Sequence, residues 1–307
     1  MKKRLTVVAA IITVVALVLA LLGWAASQGN GPLSKTGDGA HGKDSPNQPD
    51  WCPAVEFIAA PGTGESAPTD DPFNPTFNQN AYLRMVTEPL KKEYDSTQAR
   101  VWTLPYAAQI ANRNTPDQKT YDDSRNGGTD RLIAEMRYID QTCPLSKFIL
   151  VGFSQGAAIV GDVANSVGTN QGPVAADKIL GVVPLADPRR ENGVGQHPGL
   201  PLQGTGAEIA LRQVQPVVDL AAPGVSLRGP RQGGFGSLNE RVFEICAPDD
   251  VVCDTPVDLM AAFARLQQIL SNPEVHGQYG TNPNSVPGTT AGAWILDWSK
   301  KLIDGAK

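Results

Sequence analysis

Two hydrophobic patterns alternate along the chain. Short continuous apolar runs recur at Ala54–Ala60 (AVEFIAA), Arg100–Leu104 (RVWTL), Lys147–Gly152 (KFILVG), Ile179–Leu185 (ILGVVPL) and Val242–Cys246. Runs of this length, bounded by turn residues, predict strands buried on both faces. Between them the spacing is helical. Leu83, Val86, Leu90 and Tyr94 share one face of a helix over Asn78–Tyr94, and Asp130–Gln141 is strongly amphipathic. Ser154–Val167 is a helix of small residues, and Val257–Leu270 and Ala291–Leu302 close the chain as helices. Strands alternating with helices predict an α/β fold: a central parallel sheet between two helical layers. From Asp187 to Glu240 runs a long Gly/Pro-rich stretch, of a length that is usually functional or flexible.

The first 26 residues follow neither pattern. Lys2, Lys3 and Arg4 precede an apolar segment, Leu5–Ala26, broken only by Thr6, Thr13 and Gly23. As a helix it is roughly 33 Å long, enough to cross a bilayer core. An uncleaved anchor and a signal peptide cleaved near Ala25-Ala26-Ser27 both fit, and either places the rest of the chain outside the cytoplasm. Residues 27–50 are polar and rich in Gly, Pro, Ser and Asp, a flexible tether. The folded domain is expected over 51–307.

Composition narrows the chemistry. Of 307 residues 41% are hydrophobic, which excludes wholesale disorder, while Gly and Pro together make up about 18% against a usual ~12%. A net charge of −5 without a basic block argues against nucleic-acid binding. Three histidines, His41, His197 and His276, exclude a His-rich metal site, and four cysteines in an exported chain predict two disulfides.

Gly152-Phe153-Ser154-Gln155-Gly156 fits G-x-S-x-G, with a predicted strand before it and a helix after it. That context puts Ser154 on a sharp turn, with a helix N-terminus favouring developing negative charge. A serine hydroxyl needs a base to become a nucleophile. Downstream stand only His197, a loop residue expected at the surface, and His276, placed where a return loop can reach the sheet. His276 is therefore the expected base. The expected acid lies in the Cys-bracketed loop Cys246-Ala-Pro-Asp249-Asp250-Val-Val-Cys253, where Asp249 and Asp250 stand as alternatives.

These blocks resemble the cutinase family of serine esterases over essentially Trp51–Ile303. The resemblance rests on Cys52-Pro53, on Pro61-Gly62-Thr63-Gly64-Glu65, and on Cys143-Pro144 running through to G-F-S-Q-G-A. Cys246-x3-Asp250-x2-Cys253, followed by His276 and Tyr279, completes it. It implies an α/β-hydrolase-type sandwich, Ser154 as nucleophile, His276 as base and Asp250 as acid. It also implies disulfides Cys52–Cys143 and Cys246–Cys253, and oxyanion donors from Thr63 and Gln155. Two departures stand out: Pro61 replaces the family's Arg, and Thr63 replaces the fungal Ser. The anchor, the tether and the stretches GVGQHPG and GPRQGGFGSLNER are similar to the membrane-tethered branch of mycolic-acid-bearing envelopes, which implies lipase, phospholipase A or thioesterase activity.

The expected function is thus an extracytoplasmic serine hydrolase of lipid-like acyl esters or thioesters at the cell envelope. The alternative is acyl transfer to an envelope lipid or sugar with the same triad. No metal or organic cofactor and no nucleic-acid partner is implied, membrane attachment is through the N-terminal helix, and a monomer is expected.

Overall fold

A computed structural model describes residues 48–111, 115–248, 250–258, 274–283 and 285–306. The expected N-terminal span, His41, Asp249 and the expected helix at Val257–Leu270 from residue 259 onward lie outside the described residues. Among the described residues no helix is long and apolar enough to cross a membrane.

Four strands form one parallel sheet in the order β2-β1-β3-β4: β1 (Val55–Ala60), β2 (Ala99–Thr103), β3 (Lys147–Phe153) and β4 (Ile179–Leu185). Alternate residues of each strand face opposite layers, as the pleat requires. Phe57, Val101, Ile149, Val151 and Val183 pack on one side with α1 (Arg84–Glu93) and the C-terminal helix α7 (Ala291–Gly305). Ile58, Trp102, Phe148, Leu150 and Val182 pack on the other with α2 (Tyr121–Thr142) and α3 (Gln155–Gly168). Both faces are covered, so near-continuous apolar runs are what these strands need. The short helices α4 (Ala207–Ala210), α5 (Gln215–Ala221) and α6 (Glu274–Gly277) belong to the connections.

Three elements differ from expectation. Helix α1 begins at Arg84 rather than Asn78, because side chains capture the preceding backbone: Asp70 accepts from the N–H of Thr76 and Phe77, and Asn78 from that of Asn80. Helix α2 begins nine residues before Asp130. Thr120 caps it by accepting the Asp123 N–H, and Gly128 sits where a Cβ would lie 2.6 Å from Ile159. The segment expected as a fifth strand runs parallel beside β4 but pairs only at isolated points, Val182 with Val242 and Leu185 with Ile245. Pro184 of β4 has no N–H to give, which breaks the ladder there.

Candidate active site

Ser154 lies between β3 and α3 with φ 56° and ψ −116°, a left-handed backbone that a non-glycine residue rarely adopts. Its neighbours make the turn possible. A Cβ at Gly152 would come within 2.2 Å of the Gly156 carbonyl oxygen, and one at Gly156 within 2.0 Å of the Ala60 carbonyl oxygen. Both positions therefore need glycine for close approach, which accounts for the spacing of the motif. The Ser154 N–H donates to the carbonyl of Leu185 at the end of β4, fixing the elbow to the sheet.

The structure brings Ser154, His276 and Asp250 into one hydrogen-bonded chain. Asp250 Oδ2 lies 2.9 Å from His276 Nδ1, and His276 Nε2 lies 2.9 Å from Ser154 Oγ. A carboxylate can only accept, so Nδ1 carries the proton and Nε2 is free to accept from the serine hydroxyl. The Asp250 side chain is fully buried, whereas His276 keeps 26% of its side chain exposed. The imidazole is thus reachable from solvent and the carboxylate is sealed. Phe153 stacks on the imidazole at 5.1 Å between ring centroids, which limits how the ring can turn.

Asp250 sits in the loop closed by the Cys246–Cys253 disulfide, and Cys52 bonds Cys143. Asp250 Oδ1 accepts from the Val252 N–H at 2.9 Å. Tyr279 donates to Asp250 Oδ2 at 2.6 Å and accepts from the Ala247 N–H at 3.0 Å. From outside the loop, Arg190 Nε donates to the Cys253 carbonyl at 2.7 Å.

Thr63 and Gln155, the expected oxyanion donors, stand on two elements. Gln155 is the first residue of α3. Its side chain is buried, accepting from Ser124 Oγ (2.9 Å) and donating to the Gln109 carbonyl (3.1 Å). Thr63 stands in the turn after β1, where Gly62 N–H donates to Glu65 Oε2 and Gly64 N–H to the Ala108 carbonyl. Glu65 also accepts from the Tyr82 N–H at 2.7 Å. Burial raises its pKa, and the two N–H donors and the nearby His276 oppose that rise. Tyr106 donates to the Pro61 carbonyl at 2.6 Å, so this loop is braced without the family's arginine.

Glu65 and Tyr279 are residues whose roles the sequence reading did not assign. A glutamate in a Gly-rich turn gives no sign of burial, and Tyr279 was marked only by its place three residues after His276. His197 is not at the serine. Nor is it the exposed loop residue expected: it is half-buried, with its ring nitrogens 2.7 Å from the Glu244 carbonyl and 2.8 Å from the Leu200 carbonyl.

An apolar groove of roughly 460 Å³ opens beside Thr63, lined among others by Ala67, Phe77, Ala107, Ala108 and Ile110. The Asp187–Glu240 stretch is fastened down. Asp162 of α3 accepts from Arg189 (2.8 Å), Arg231 (2.9 Å) and Arg228, and Glu208 accepts from Arg228 and from Tyr121 at the start of α2. Among the described residues no group of three or more His, Cys, Asp or Glu side chains is placed to hold a metal ion.

Comparison with known proteins identifies the family. The chain is 46% identical over 312 residues to a protein named carboxylesterase Culp6 homolog, from Corynebacterium glutamicum, covering 99% of both chains. Among solved structures it is similar in fold to the catalytic core domain of acetyl xylan esterase from Trichoderma reesei. There the TM-score is 0.52 and the identity 17%, over 83% of this chain and 100% of that one. A second acetyl xylan esterase matches at TM-score 0.52 and 16% identity, over 82% and 99%. Residues 51–283 match the family model described as Cutinase, and with that match spanning most of the folded region, the chain belongs to the cutinase family.

Proposed function

We propose that this ester hydrolase works through an acyl-enzyme at Ser154 and acts on lipid-like acyl esters outside the cytoplasm. The observation that carries the reading is the Ser154–His276–Asp250 hydrogen-bonded chain, and the apolar groove lined by Thr63 supports it. Ser154 Oγ attacks the ester carbonyl carbon while its proton passes to His276 Nε2. The carbonyl oxygen becomes an oxyanion, held by backbone N–H groups of Gln155 and Thr63 with the Thr63 hydroxyl beside them. Asp250 holds the imidazole in the needed tautomer and stabilises its charged form. The tetrahedral intermediate collapses, and His276 returns the proton to the departing alcohol or thiol. A water molecule, deprotonated by His276, then attacks the acyl carbon and frees Ser154.

The groove supports an acyl chain as the bound group. The leaving oxygen must lie within reach of His276, and the oxyanion points to Gln155 and Thr63. In this reading the acyl chain occupies the groove lined by Ala67 and Ile110. Two disulfides fit an oxidising compartment. The apolar segment at residues 5–26 would hold the enzyme at a membrane, either permanently or until it is cleaved. Lipase, phospholipase A and thioesterase activities are the finer forms of this reading.

The test compares full-length wild type and Ser154→Ala in detergent, on p-nitrophenyl esters of rising acyl length, a phospholipid and an acyl-thioester. Turnover of long chains by wild type alone is the expected result, with the substrate ranking selecting among the three activities. Equal rates for both proteins would remove Ser154 from the mechanism. Acyl products on an added alcohol, in place of free acid, would show acyl transfer instead.

A further inference from the structure

Tyr279 is completely buried, and its hydroxyl joins three pieces of the site. It donates to Asp250 Oδ2 at 2.6 Å, the same oxygen that faces His276 Nδ1 at 2.9 Å. It accepts from the Ala247 N–H at 3.0 Å, at the other end of the Cys246–Cys253 loop. It lies three residues beyond His276, on the segment that carries the base. Its ring meets Phe153 edge-on at 6.1 Å and Tyr82 edge-on at 6.3 Å, so the phenol has little freedom to swing away. Burial first, and then the Asp250 carboxylate, push the phenol pKa well above its usual value, so the proton stays on the hydroxyl.

We infer that Tyr279 is a positioning residue for the reaction, its hydroxyl fixing the Asp250 carboxylate and setting how much of that charge His276 feels. The inference rests on the triad reading above. Asp250 Oδ2 has two donors to serve, the phenol and the imidazole, and a hydrogen bond from one reduces the negative charge available to the other. With the phenol donor removed, Oδ2 faces His276 alone and can also rotate about its own side-chain torsion. Two effects follow. The imidazole is held less well in line with Ser154, which lowers kcat. The imidazolium gains a less-shared counter-charge, which holds its proton more tightly and moves the acid limb of the kcat/KM profile to higher pH. Glu65 also acts electrostatically on His276 and is unchanged in the variant, so it cancels from the comparison.

The experiment measures pH–rate profiles of the full-length protein on one p-nitrophenyl ester for wild type, Tyr279→Phe and Ser154→Ala. Tyr279→Phe keeps the ring and loses only the hydroxyl. The expected result is a kcat lower by roughly 10- to 100-fold, an unchanged KM, and an acid limb displaced upward by about half a pH unit or more. A residue that merely fills space would leave kcat and the acid limb at wild-type values in Tyr279→Phe, and that result overturns the inference. Should Tyr279→Phe fail to fold by circular dichroism, 3,5-difluorotyrosine at position 279 replaces it. This stronger donor is expected to move the acid limb downward, and an unmoved limb overturns the inference equally. Ser154→Ala separates the two levels of argument. Activity retained there defeats the triad itself, whereas an inactive Ser154→Ala beside a wild-type-like Tyr279→Phe defeats only the role given to Tyr279.

Discussion

At Ser154 the backbone is bent into a conformation that costs of order 1–3 kcal/mol, and the surroundings hold it there. The elbow survives because Gly152 and Gly156 let three backbone segments meet at distances no side chain would tolerate. Gly156→Ala drives a methyl into the Ala60 carbonyl. It is expected to cost about 3 kcal/mol of stability and most of the activity, measurable by chemical denaturation alongside the ester assay. Asp250→Asn tests the acid at nearly constant volume. An amide in that place can present its NH₂ to His276 and favour the wrong tautomer, so kcat should fall roughly 10³- to 10⁴-fold, with KM little changed. An Asp250→Asn protein within a few fold of wild type would show that another group orients His276.

Helix α3 joins two functions that its sequence does not separate. Its N-terminus carries the elbow, while Asp162, two turns on, gathers Arg189, Arg228 and Arg231 from the Asp187–Glu240 stretch. Burial alone would raise the Asp162 pKa. Arg231, Arg228 and Arg189 overcome it and hold the group at about 2, below its ordinary 3.8. The folded state is therefore the weaker proton binder, so this anchor stabilises above pH 4 and its contribution is lost as pH falls from about 4 toward 2. The linkage amounts to roughly 2 kcal/mol. Asp162→Asn should remove that acid-dependent component and, by leaving three guanidinium groups without their carboxylate, cost about 3–5 kcal/mol at neutral pH. Urea titrations of both proteins between pH 7 and pH 3 check both statements. A Gly/Pro-rich connection of this length is usually functional or flexible, yet here it is bolted to a core helix.

Across the whole molecule the two disulfides act on different quantities. Cys52–Cys143 joins residues 91 apart, and closing so long a loop removes unfolded-state entropy worth about 4–5 kcal/mol. Cys246–Cys253 spans 7 residues and stabilises by about half as much, but it shapes the loop that holds Asp250. Cys52→Ser/Cys143→Ser should lower the melting temperature with kcat kept in the surviving folded fraction. Cys246→Ser/Cys253→Ser should lower kcat more than stability. Equal kcat in both double variants would mean that the loop keeps its shape unaided. The groove gives a prediction at the same scale. Ala107→Trp fills the space near Ile110 and should lower kcat/KM for long acyl chains about tenfold or more relative to short ones, read from the p-nitrophenyl ester series.

Most of the fold was legible locally. Each buried strand carries its own apolar run, and each long helix its own face, so the parallel sandwich follows from periodicity with errors mainly at element ends. Those errors have local causes that hydropathy does not encode: the Asp70 and Asn78 turns before α1, the Thr120 cap of α2, and Pro184 interrupting the outer ladder. Ser154 was legible because its motif depends on contacts within five residues and on the strand and helix around it. The choice of His276 over His197 needed chain order, and that of Asp250 over Asp249 needed the family pattern, because a triad is a contact between segments 26 and 122 residues apart. Glu65, Tyr279 and the Asp162 anchor were not legible as site-builders. A polar residue in a loop looks solvated until tertiary packing buries it, and only then must its charge or hydroxyl find a partner. Hydrophobic pattern thus specifies what is buried, while the pairing of buried polar groups emerges only when distant segments meet.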